Sequence, residues 1–318
     1  MRVLVTGATG FVGKALSASL ALHPEFDVIG AARSISYPNA LGKLVPIGEI
    51  SAETDWGPAL KNVDIIVHLA ARAHVLSDGS ADPMGEFRRV NVEGTVALAK
   101  QAIAAGVKRF IFISSIGVLG ARSSRIPFDE ASVSAPHADY AISKLEAEQR
   151  LWQLLEGTSV ELTIIRPPLV YGAHAPGNFR RLLRLVASGA PLPLGRIENQ
   201  RSLIALENLV DFIFRCITHP AAANQVFVIA DCATVSTTEI VRFLSLGMGR
   251  RCLTIWVPRF LARFFALLIG KSGLYTQLYE SLVVDTRKAQ ELLGWVPPIS
   301  TKDALVKAGQ EFKSLNHR

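Results

Sequence analysis

The chain has 318 residues, 49% of them apolar, and a net charge of +7. This length allows one large domain or two moderate ones, with a core that needs no disulfides. Cys216, Cys232 and Cys252 show no CxxC or Cys/His spacing, so we expect reduced thiols, a cytoplasmic protein and no metal site. The N-terminus lacks signal-peptide features. The basic excess has no nucleic-acid-binding signature, which favours an anionic small molecule over nucleic acid as the partner.

The chain opens with a predicted strand, a glycine-rich turn and a helix. Arg2–Thr6 is predicted to be a buried strand, and helical periodicity covers Phe11–Leu22. Three glycines recur at three-residue spacing: Gly7 and Gly10 lie between the strand and the helix, and Gly13 lies in the helix. These glycines would allow a sharp turn, approach of a pyrophosphate, and close packing of the helix on the sheet. Because free N–H groups at a helix start attract phosphate, the pattern predicts a dinucleotide site.

The first half of the chain continues as alternating strands and helices. Strands are predicted at Asp27–Ala32, Asp64–Leu69, Arg109–Ser114 and Glu161–Arg166, and helices at Glu86–Ala105 and Tyr140–Leu155. This alternation predicts an α/β fold with a doubly wound parallel sheet. Proline and glycine become more frequent after Arg166. We therefore expect a dinucleotide-binding domain over residues 1–167, with residues 202–230 returning to it, and a smaller mixed α/β substrate-binding domain over 168–318.

Tyr140 and Lys144 are the candidate catalytic pair. Their four-residue spacing on a predicted helix places both side chains on one face, one turn apart. A free tyrosine has a pKa of about 10, but a neighbouring cation favours the phenolate and makes the tyrosine a usable proton shuttle. Ser115 follows the predicted strand Arg109–Ser114, at the sheet edge where ligands bind in such folds. Its hydroxyl would hydrogen-bond the same substrate oxygen as Tyr140.

Seven segments together resemble the extended short-chain dehydrogenase/reductase superfamily, in its branch of nucleotide-sugar epimerases, dehydratases and reductases. They are TGATGFVG at 6–13, HLAA at 68–71, NVEGT at 91–95, ISSIGVLG at 113–120, YAISK at 140–144, RPPLVYG at 166–172 and VDTRKAQELLGW at 284–295. The resemblance covers essentially the whole chain. It is strongest to bacterial UDP-hexose 4-epimerases and to the 4-ketoreductases that make UDP-N-acetylquinovosamine. It implies a Rossmann fold.

The resemblance also implies roles for matching positions. Tyr140 would be the acid/base, Lys144 would bind the nicotinamide ribose and lower the Tyr140 pKa, and Ser115 would polarise the substrate oxygen. The turn would contact the cofactor through Gly7, Thr9, Gly10, Phe11, Val12 and Gly13. Glu49 and Ile50 would flank the adenine, and the adenosine ribose and the phosphates would be lined by Leu69, Ala70 and Ala71. Asn91 would orient the loop beneath the cofactor, and Pro167 and Val170 would pack near the nicotinamide. Asn178 and Arg201 would bind the nucleotide diphosphate.

Two positions depart from the family pattern. Arg33 follows the strand Asp27–Ala32, where NAD-preferring enzymes usually place an acidic residue. An arginine there can accept a 2′-phosphate, which slightly favours NADP(H) over NAD(H); the alternative is an exposed arginine without influence on the choice of cofactor. Leu119 stands where many relatives have tyrosine, which weakens an assignment as a galactose-type epimerase.

The residues leave three reactions open. The first is reduction of a UDP-4-keto-hexose at C4 for surface-polysaccharide precursor synthesis, which Arg33 favours through an exchangeable NADPH. The second is 4-epimerisation of UDP-glucose or UDP-N-acetylglucosamine with a retained NAD. The third is a catalytically silent relative that senses a dinucleotide, against which Ser115, Tyr140 and Lys144 argue. A dehydratase is disfavoured because Ile116 and Gly117 replace the Asp-Glu pair expected after Ser115.

The most apolar late segment is residues 257–270, which carries Arg259 and Arg263. It is too short to span a bilayer, so no integral membrane segment is expected. Its simplest interpretation is a helix packed on the protein body, and the alternative is a helix on a membrane surface. The resemblance further implies a homodimer formed through the helices at Glu86–Ala105 and Tyr140–Leu155.

Overall fold

The computed structural model describes residues 1–34, 43–73, 82–268 and 272–316. The strands are β1 (Arg2–Thr6), β2 (Asp27–Ala32), β3 (Lys43–Pro46), β4 (Ile65–His68), β5 (Arg109–Ile113), β6 (Glu161–Arg166), β7 (Leu169–Tyr171), β8 (Leu192–Gly195), β9 (Leu203–Ala205), β10 (Gln225–Val228) and β11 (Thr254–Trp256). The helices are α1 (Phe11–Leu20), α2 (Gly57–Leu60), α3 (Pro83–Arg88), α4 (Gly94–Ala104), α5 (Asp139–Leu155), α6 (Gly177–Ser188), α7 (Leu206–Thr218), α8 (Thr237–Gly247), α9 (Arg259–Leu268), α10 (Ser272–Tyr279), α11 (Arg287–Leu293) and α12 (Thr301–Asn316).

Seven parallel strands form the central sheet, in the order β10-β6-β5-β4-β1-β2-β3. The order reverses beside β1, and helices cover both faces, so the predicted doubly wound α/β fold is confirmed. The inner strands are buried along nearly their whole length, which explains their continuous apolar sequences. β4 and β5 end one residue before their predicted ends, at His68 and Ile113.

The helix predicted at Glu86–Ala105 is interrupted in the structure. α3 begins earlier, at Pro83, because the Asp82 side chain caps it by accepting the Gly85 N–H. A π-helical turn at Arg89–Glu93 then separates α3 from α4. The prediction of one regular helix was wrong here, since apolar spacing does not reveal a wider turn. The other differences are small: α1 ends at Leu20 and α5 begins at Asp139.

A second hydrophobic core lies between α6, α8 and α12, beyond the carboxyl edge of the sheet. α8 and α12 approach closely: a Cβ on Gly247 would overlap the Val306 carbonyl, and one on Gly309 would overlap that of Leu244. The segment predicted to return to the first domain divides between both parts. β9 pairs with β7 in a separate two-stranded sheet, whereas α7 packs beside α1 and β10 joins β6 at the sheet edge.

Two features are absent from the ranges that the structure describes. No helix there is long and apolar enough to cross a bilayer. Across the same ranges, no group of three or more His, Cys, Asp or Glu side chains is arranged to hold a metal ion.

Candidate functional site

The glycine turn between β1 and α1 is shaped by close backbone packing. Gly7 has a φ of +65°, and a Cβ there would lie 2.9 Å from the Ala70 nitrogen. A Cβ on Gly13 would lie 2.8 Å from the Ala8 Cα. Gly10, in contrast, is exposed and precedes the first turn of α1, which has no side-chain cap and no acidic residue. The turn therefore presents backbone N–H groups to an anion, and it fits a dinucleotide pyrophosphate.

Thr6 and His68 connect the ends of β1 and β4. The Thr95 hydroxyl donates to the Asn91 carbonyl (2.7 Å), so His68 Nε2 must donate to Thr95 Oγ1 (2.9 Å). His68 Nδ1 then accepts from the Thr6 hydroxyl (2.8 Å), which itself accepts the N–H groups of Leu69 and Ala70. Burial, aided by the charge of Lys144, lowers the pKa of His68 to about 3. His68 is thus a neutral structural residue that fixes the segment after β4.

Asn91 joins that segment to α5. It lies in the π-helical turn and is almost fully buried. Its side chain accepts from the Arg72 N–H (2.8 Å) and donates to the Arg72 carbonyl (3.1 Å). It also donates to the Ser143 hydroxyl (2.9 Å), which donates to the Tyr140 carbonyl (2.9 Å). One amide therefore holds residues 69–72 and the first turn of α5 in a fixed relation.

Lys144 lies beneath the end of β5. Its Nζ donates to the Ile113 carbonyl (2.8 Å) and lies 4.4 Å from the centre of the Phe112 ring. Burial lowers the pKa of Lys144 to about 7, and the carboxylate of Glu148 partly opposes this shift. The ammonium is thus fixed two residues before Ser115, on the same side of α5 as Tyr140.

Ser115 and Tyr140 lie on neighbouring segments. The Ser115 hydroxyl accepts the Gly117 N–H (3.1 Å) and so caps a short 3-10 turn at Ile116–Val118. A Cβ on Gly117 would lie 3.3 Å from Ser115 Oγ and 3.4 Å from the Ala141 Cβ, so the turn packs closely against α5. The structure thereby brings Ser115, Tyr140 and Lys144 to one place at the carboxyl edge of the sheet.

The pKa of Tyr140 differs from expectation. Its phenol is only partly exposed and packs edge-on against Phe87, with 6.4 Å between the ring centres. Burial raises the Tyr140 pKa to about 12. The lowering expected from Lys144 is therefore not found in the protein alone, where burial of the phenol sets the direction of the shift. Tyr140 is therefore a neutral phenol at physiological pH in the protein alone.

Glu148 and Arg166 form a buried ion pair that motif analysis missed. Arg166 donates to both carboxylate oxygens of Glu148, at 3.0 and 2.6 Å. Glu148 follows Lys144 at the interval that separates Lys144 from Tyr140, so these three side chains occupy one stripe of α5. The sequence did offer a signal for Glu148, because it continues the four-residue spacing of Tyr140 and Lys144 by one further turn. The carboxylate favours the charged form of Lys144.

The adenosine end of the predicted site is far more exposed to solvent than the end that contains Asn91 and Lys144. Arg33 and Glu49 are each 71% exposed, and their nearest charged atoms are 3.9 Å apart. Arg89 reaches the same Glu49 carboxylate at 3.6 Å and donates to the Ile50 carbonyl at 3.4 Å. Ile50 packs against Gly94 at the start of α4. Glu49 therefore lies between two guanidinium groups at the edge of the sheet.

The other predicted cofactor positions lie on several separate elements. Phe11 contacts Gly172 and packs against the second core, whereas Val12 packs against the first. Thr9 is partly exposed beside Gly10. The Pro167 carbonyl accepts the Ile116 N–H (2.9 Å), which ties the end of β6 to the Ser115 turn, and Val170 lies in β7. Ala71 directly precedes the backbone that Asn91 holds.

The predicted diphosphate-binding residues lie on the other side of the site and share a neighbour. Asn178, in the first turn of α6, donates to the Gln277 side chain of α10 (2.7 Å). Arg201 is mostly buried, and its guanidinium donates to the Glu280 carbonyl just after α10 (3.2 Å). Its backbone pairs with Val235 in both directions. Both side chains are therefore positioned through the segment around α10.

Comparison with known proteins agrees with this architecture. Residues 3–230 match the model of the NAD dependent epimerase/dehydratase family. A UDP-glucose 4-epimerase of Vibrio cholerae is 45% identical over 99% of this chain and 97% of its own. An N-acetyl-alpha-D-glucosaminyl-diphospho-ditrans,octacis-undecaprenol 4-epimerase of Escherichia coli O157:H7 is 28% identical over 80% and 75% of the two chains. A UDP-glucuronic acid 4-epimerase of Bacillus cereus, solved with NAD, superposes with a TM-score of 0.78 at 20% identity, over 100% of both chains.

A Rossmann fold with a glycine turn, a Tyr-Lys pair on the helix after β5, and a second lobe over the sheet edge defines an extended short-chain dehydrogenase/reductase. The chain belongs to the NAD-dependent epimerase/dehydratase family. The resemblance seen in the motifs is thereby confirmed, and with it the expectation of an enzyme that uses a nicotinamide dinucleotide.

Proposed function

We propose that this protein is an NAD-dependent 4-epimerase of UDP-hexoses, rather than the 4-ketoreductase that the sequence alone favoured. The observation that carries the proposal is the 45% identity, over nearly both whole lengths, to a UDP-glucose 4-epimerase. The site is compatible with either reaction, because both need a proton shuttle beside C4 and a clamp for the diphosphate. The proposal includes the homodimer through the α3–α4 and α5 helices that the family resemblance implies.

The residues at the carboxyl edge of the sheet would hold the cofactor. The N–H groups at the start of α1 would bind its pyrophosphate beside Gly10, and Lys144 would bind the nicotinamide ribose. Asn91 would act indirectly by fixing residues 69–72 against α5. When bound, the cofactor supplies the hydride acceptor and donor that inversion at C4 needs and, in its oxidised form, a positive charge.

Tyr140 would carry the proton of the sugar C4 hydroxyl. As a phenolate it would accept that proton when C4 is oxidised, and as a phenol it would return it when C4 is reduced on the opposite face. The Ser115 hydroxyl would hydrogen-bond the same oxygen. Because the Tyr140 pKa is about 12 in the protein alone, the phenolate needs both the Lys144 ammonium and the charge of the oxidised ring. Activation of the base would thus depend on a loaded site.

The α6–α10 side of the site would bind the UDP diphosphate. Arg201 offers a guanidinium suited to paired phosphate oxygens, and Asn178 offers an amide donor. Both are held by groups of the α10 segment, Gln277 and Glu280, before any ligand arrives. This would anchor the nucleotide while leaving the sugar free to turn between the two hydride-transfer steps.

We further infer NAD rather than the slight NADP preference expected from Arg33. A 2′-phosphate beside Arg33 would also approach Glu49, whose carboxylate already lies near Arg33 and Arg89. Like-charge repulsion would offset the attraction of the arginine. Glu49 thereby takes over the discrimination that an acidic residue at the end of β2 usually provides.

Product analysis tests the reaction. The purified protein would be incubated with UDP-glucose, UDP-N-acetylglucosamine and a UDP-4-keto-hexose, with and without NADPH, and products identified by chromatography and mass spectrometry. We expect conversion of a UDP-hexose to its C4 epimer without net consumption of nucleotide. Stoichiometric loss of NADPH with the keto sugar, and no epimerisation, would instead identify a reductase.

A further inference from the structure

Exposed apolar side chains cluster on β11 and α9. Ile255, Trp256, Phe260, Phe264, Leu267 and Leu268, here called the α9 surface, are each 56–71% exposed. The α9 members recur at intervals that place them on one face of the helix. Ala262, between them in sequence, packs against the second core. The helix is thus fixed to the body on one side and presents an aromatic and aliphatic face on the other.

The same part of the chain is strongly basic. Residues 240–279 contain five arginines, one lysine and no acidic residue, whereas the whole chain has a net charge of +7. Four exposed arginines accompany the α9 surface: Arg250 and Arg251 precede it in sequence, and Arg259 and Arg263 lie between its members. Arg259 and Arg263 lie four residues apart, beside the apolar face of α9. Nearly all the net charge therefore accompanies the exposed apolar residues.

We propose that the α9 surface docks on an anionic lipid bilayer. Phe and Leu on one helix face with arginines alongside match the composition of helices that lie in the bilayer interface, and Trp256 in the preceding β11 adds an aromatic side chain suited to the same depth. Each arginine near an anionic surface adds an attraction that salt weakens. α9 is ten residues long with two arginines, so the contact is peripheral.

A second copy of the chain fits this surface less well. A two-fold contact sets the same patch of each subunit against the other. Here it would bring Arg259 and Arg263 towards their counterparts, with no acidic residue between positions 240 and 279 to separate them. The charges that repel another copy attract an anionic headgroup.

The position of α9 gives docking a consequence for the substrate site, and this step rests on the proposed function. α9 contacts α10, and the α10 segment bonds both Asn178 and Arg201. Docking would therefore hold the diphosphate side of the site close to the bilayer. The docking itself is independent of the reaction and is measured without substrate.

Co-sedimentation with vesicles tests the docking. The full-length protein would be mixed with vesicles of phosphatidylglycerol and phosphatidylethanolamine, or of phosphatidylcholine alone, at low and high salt. We expect binding to the anionic vesicles that weakens with salt. Arg259→Gln/Arg263→Gln should bind about thirtyfold more weakly, since each arginine contributes a factor of about five. Phe260→Ser/Leu267→Ser should also lose binding, whereas Leu22→Ser/Val133→Ser, which changes exposed apolar residues elsewhere, should not.

Two further readouts separate docking from misfolding and self-association. Anionic vesicles should shift the tryptophan emission to the blue, and Trp256→Phe should remove most of that shift while thermal unfolding stays unchanged. Light scattering after size exclusion should give the same mass for the wild type and both double variants. Absence of vesicle binding by the wild type, equal binding by the variants, or dissociation of a dimer by the α9 substitutions would each overturn the proposal. Loss of epimerase activity alone would not bear on it.

Discussion

The inner and outer ends of the proposed dinucleotide site differ in how their side chains are held. At the inner end, His68, Asn91 and Lys144 are buried, and hydrogen bonds or packing fix each one. At the outer end, Arg33 and Glu49 are mostly exposed and share one contact of 3.9 Å. Buried polar groups need fixed partners, so geometry determines their roles, whereas an exposed pair acts through net charge alone. Substitutions at the inner end should therefore have large effects, and those at the outer end small ones.

The largest effect should come from Tyr140→Phe. Removing the phenolic hydroxyl takes away the proposed proton shuttle, so kcat should fall by about two to four orders of magnitude. Cofactor content should change little, because the turn and Lys144 remain. Turnover of UDP-glucose and the NAD released on denaturation would be measured on the same preparation.

Tyr279→Phe is the matched control. It too removes a tyrosine hydroxyl, one that donates to the Pro193 carbonyl in the second lobe. We expect this variant to keep most of the activity. A Tyr140→Phe enzyme with near-normal kcat would remove Tyr140 from the mechanism, and one without bound NAD would show that the hydroxyl holds the cofactor.

His68 should make the inner end sensitive to acid. Its pKa is about 3 in the folded protein and near the usual 6.5 when unfolded, so between these values only the unfolded chain binds the proton. Stability should therefore fall as pH decreases from about 6.5 towards 3, by several kcal/mol in all. His68→Gln cannot take up that proton, and its unfolding free energy should fall less steeply over this range.

The comparison uses slopes, because the substitution can also lower stability at neutral pH. Urea unfolding at several pH values would give the free energy for each variant. His23→Gln, at a partly exposed histidine beside Glu25, is the control for loss of a histidine outside the buried network. Parallel slopes for the wild type and His68→Gln would show that another group governs the acid response.

The inner end was also the more predictable from sequence. Gly7, Gly13, Tyr140 and Lys144 stand at fixed spacings in elements with strong periodicity, so motif and fold indicate the same site. Glu148 escaped prediction because its partner Arg166 is distant in sequence. The π-helical turn around Asn91 escaped because apolar spacing does not encode it. The raised Tyr140 pKa depends on burial by the folded chain, which one helix cannot reveal. Likewise, Arg33 alone could not show that Glu49 lies beside it.

The smallest effect should come from Glu49→Gln. Removing this carboxylate leaves Arg33 and Arg89 without a shared acidic neighbour at the proposed 2′ position. Because an exposed pair contributes at most about 1 kcal/mol, we expect the ratio of NADP to NAD affinity to rise by no more than about fivefold.

Arg33→Gln, by contrast, should lower that ratio from its wild-type value. Glu25→Gln changes an exposed acidic residue at the amino ends of the strands and should leave the ratio of NADP to NAD affinity unchanged. Both affinities would be obtained by titration of cofactor-free protein. If Glu49→Gln and Arg33→Gln both kept the wild-type ratio, the charges at this edge would have no part in cofactor choice. A rise well beyond fivefold would instead show that a bound cofactor buries this pair.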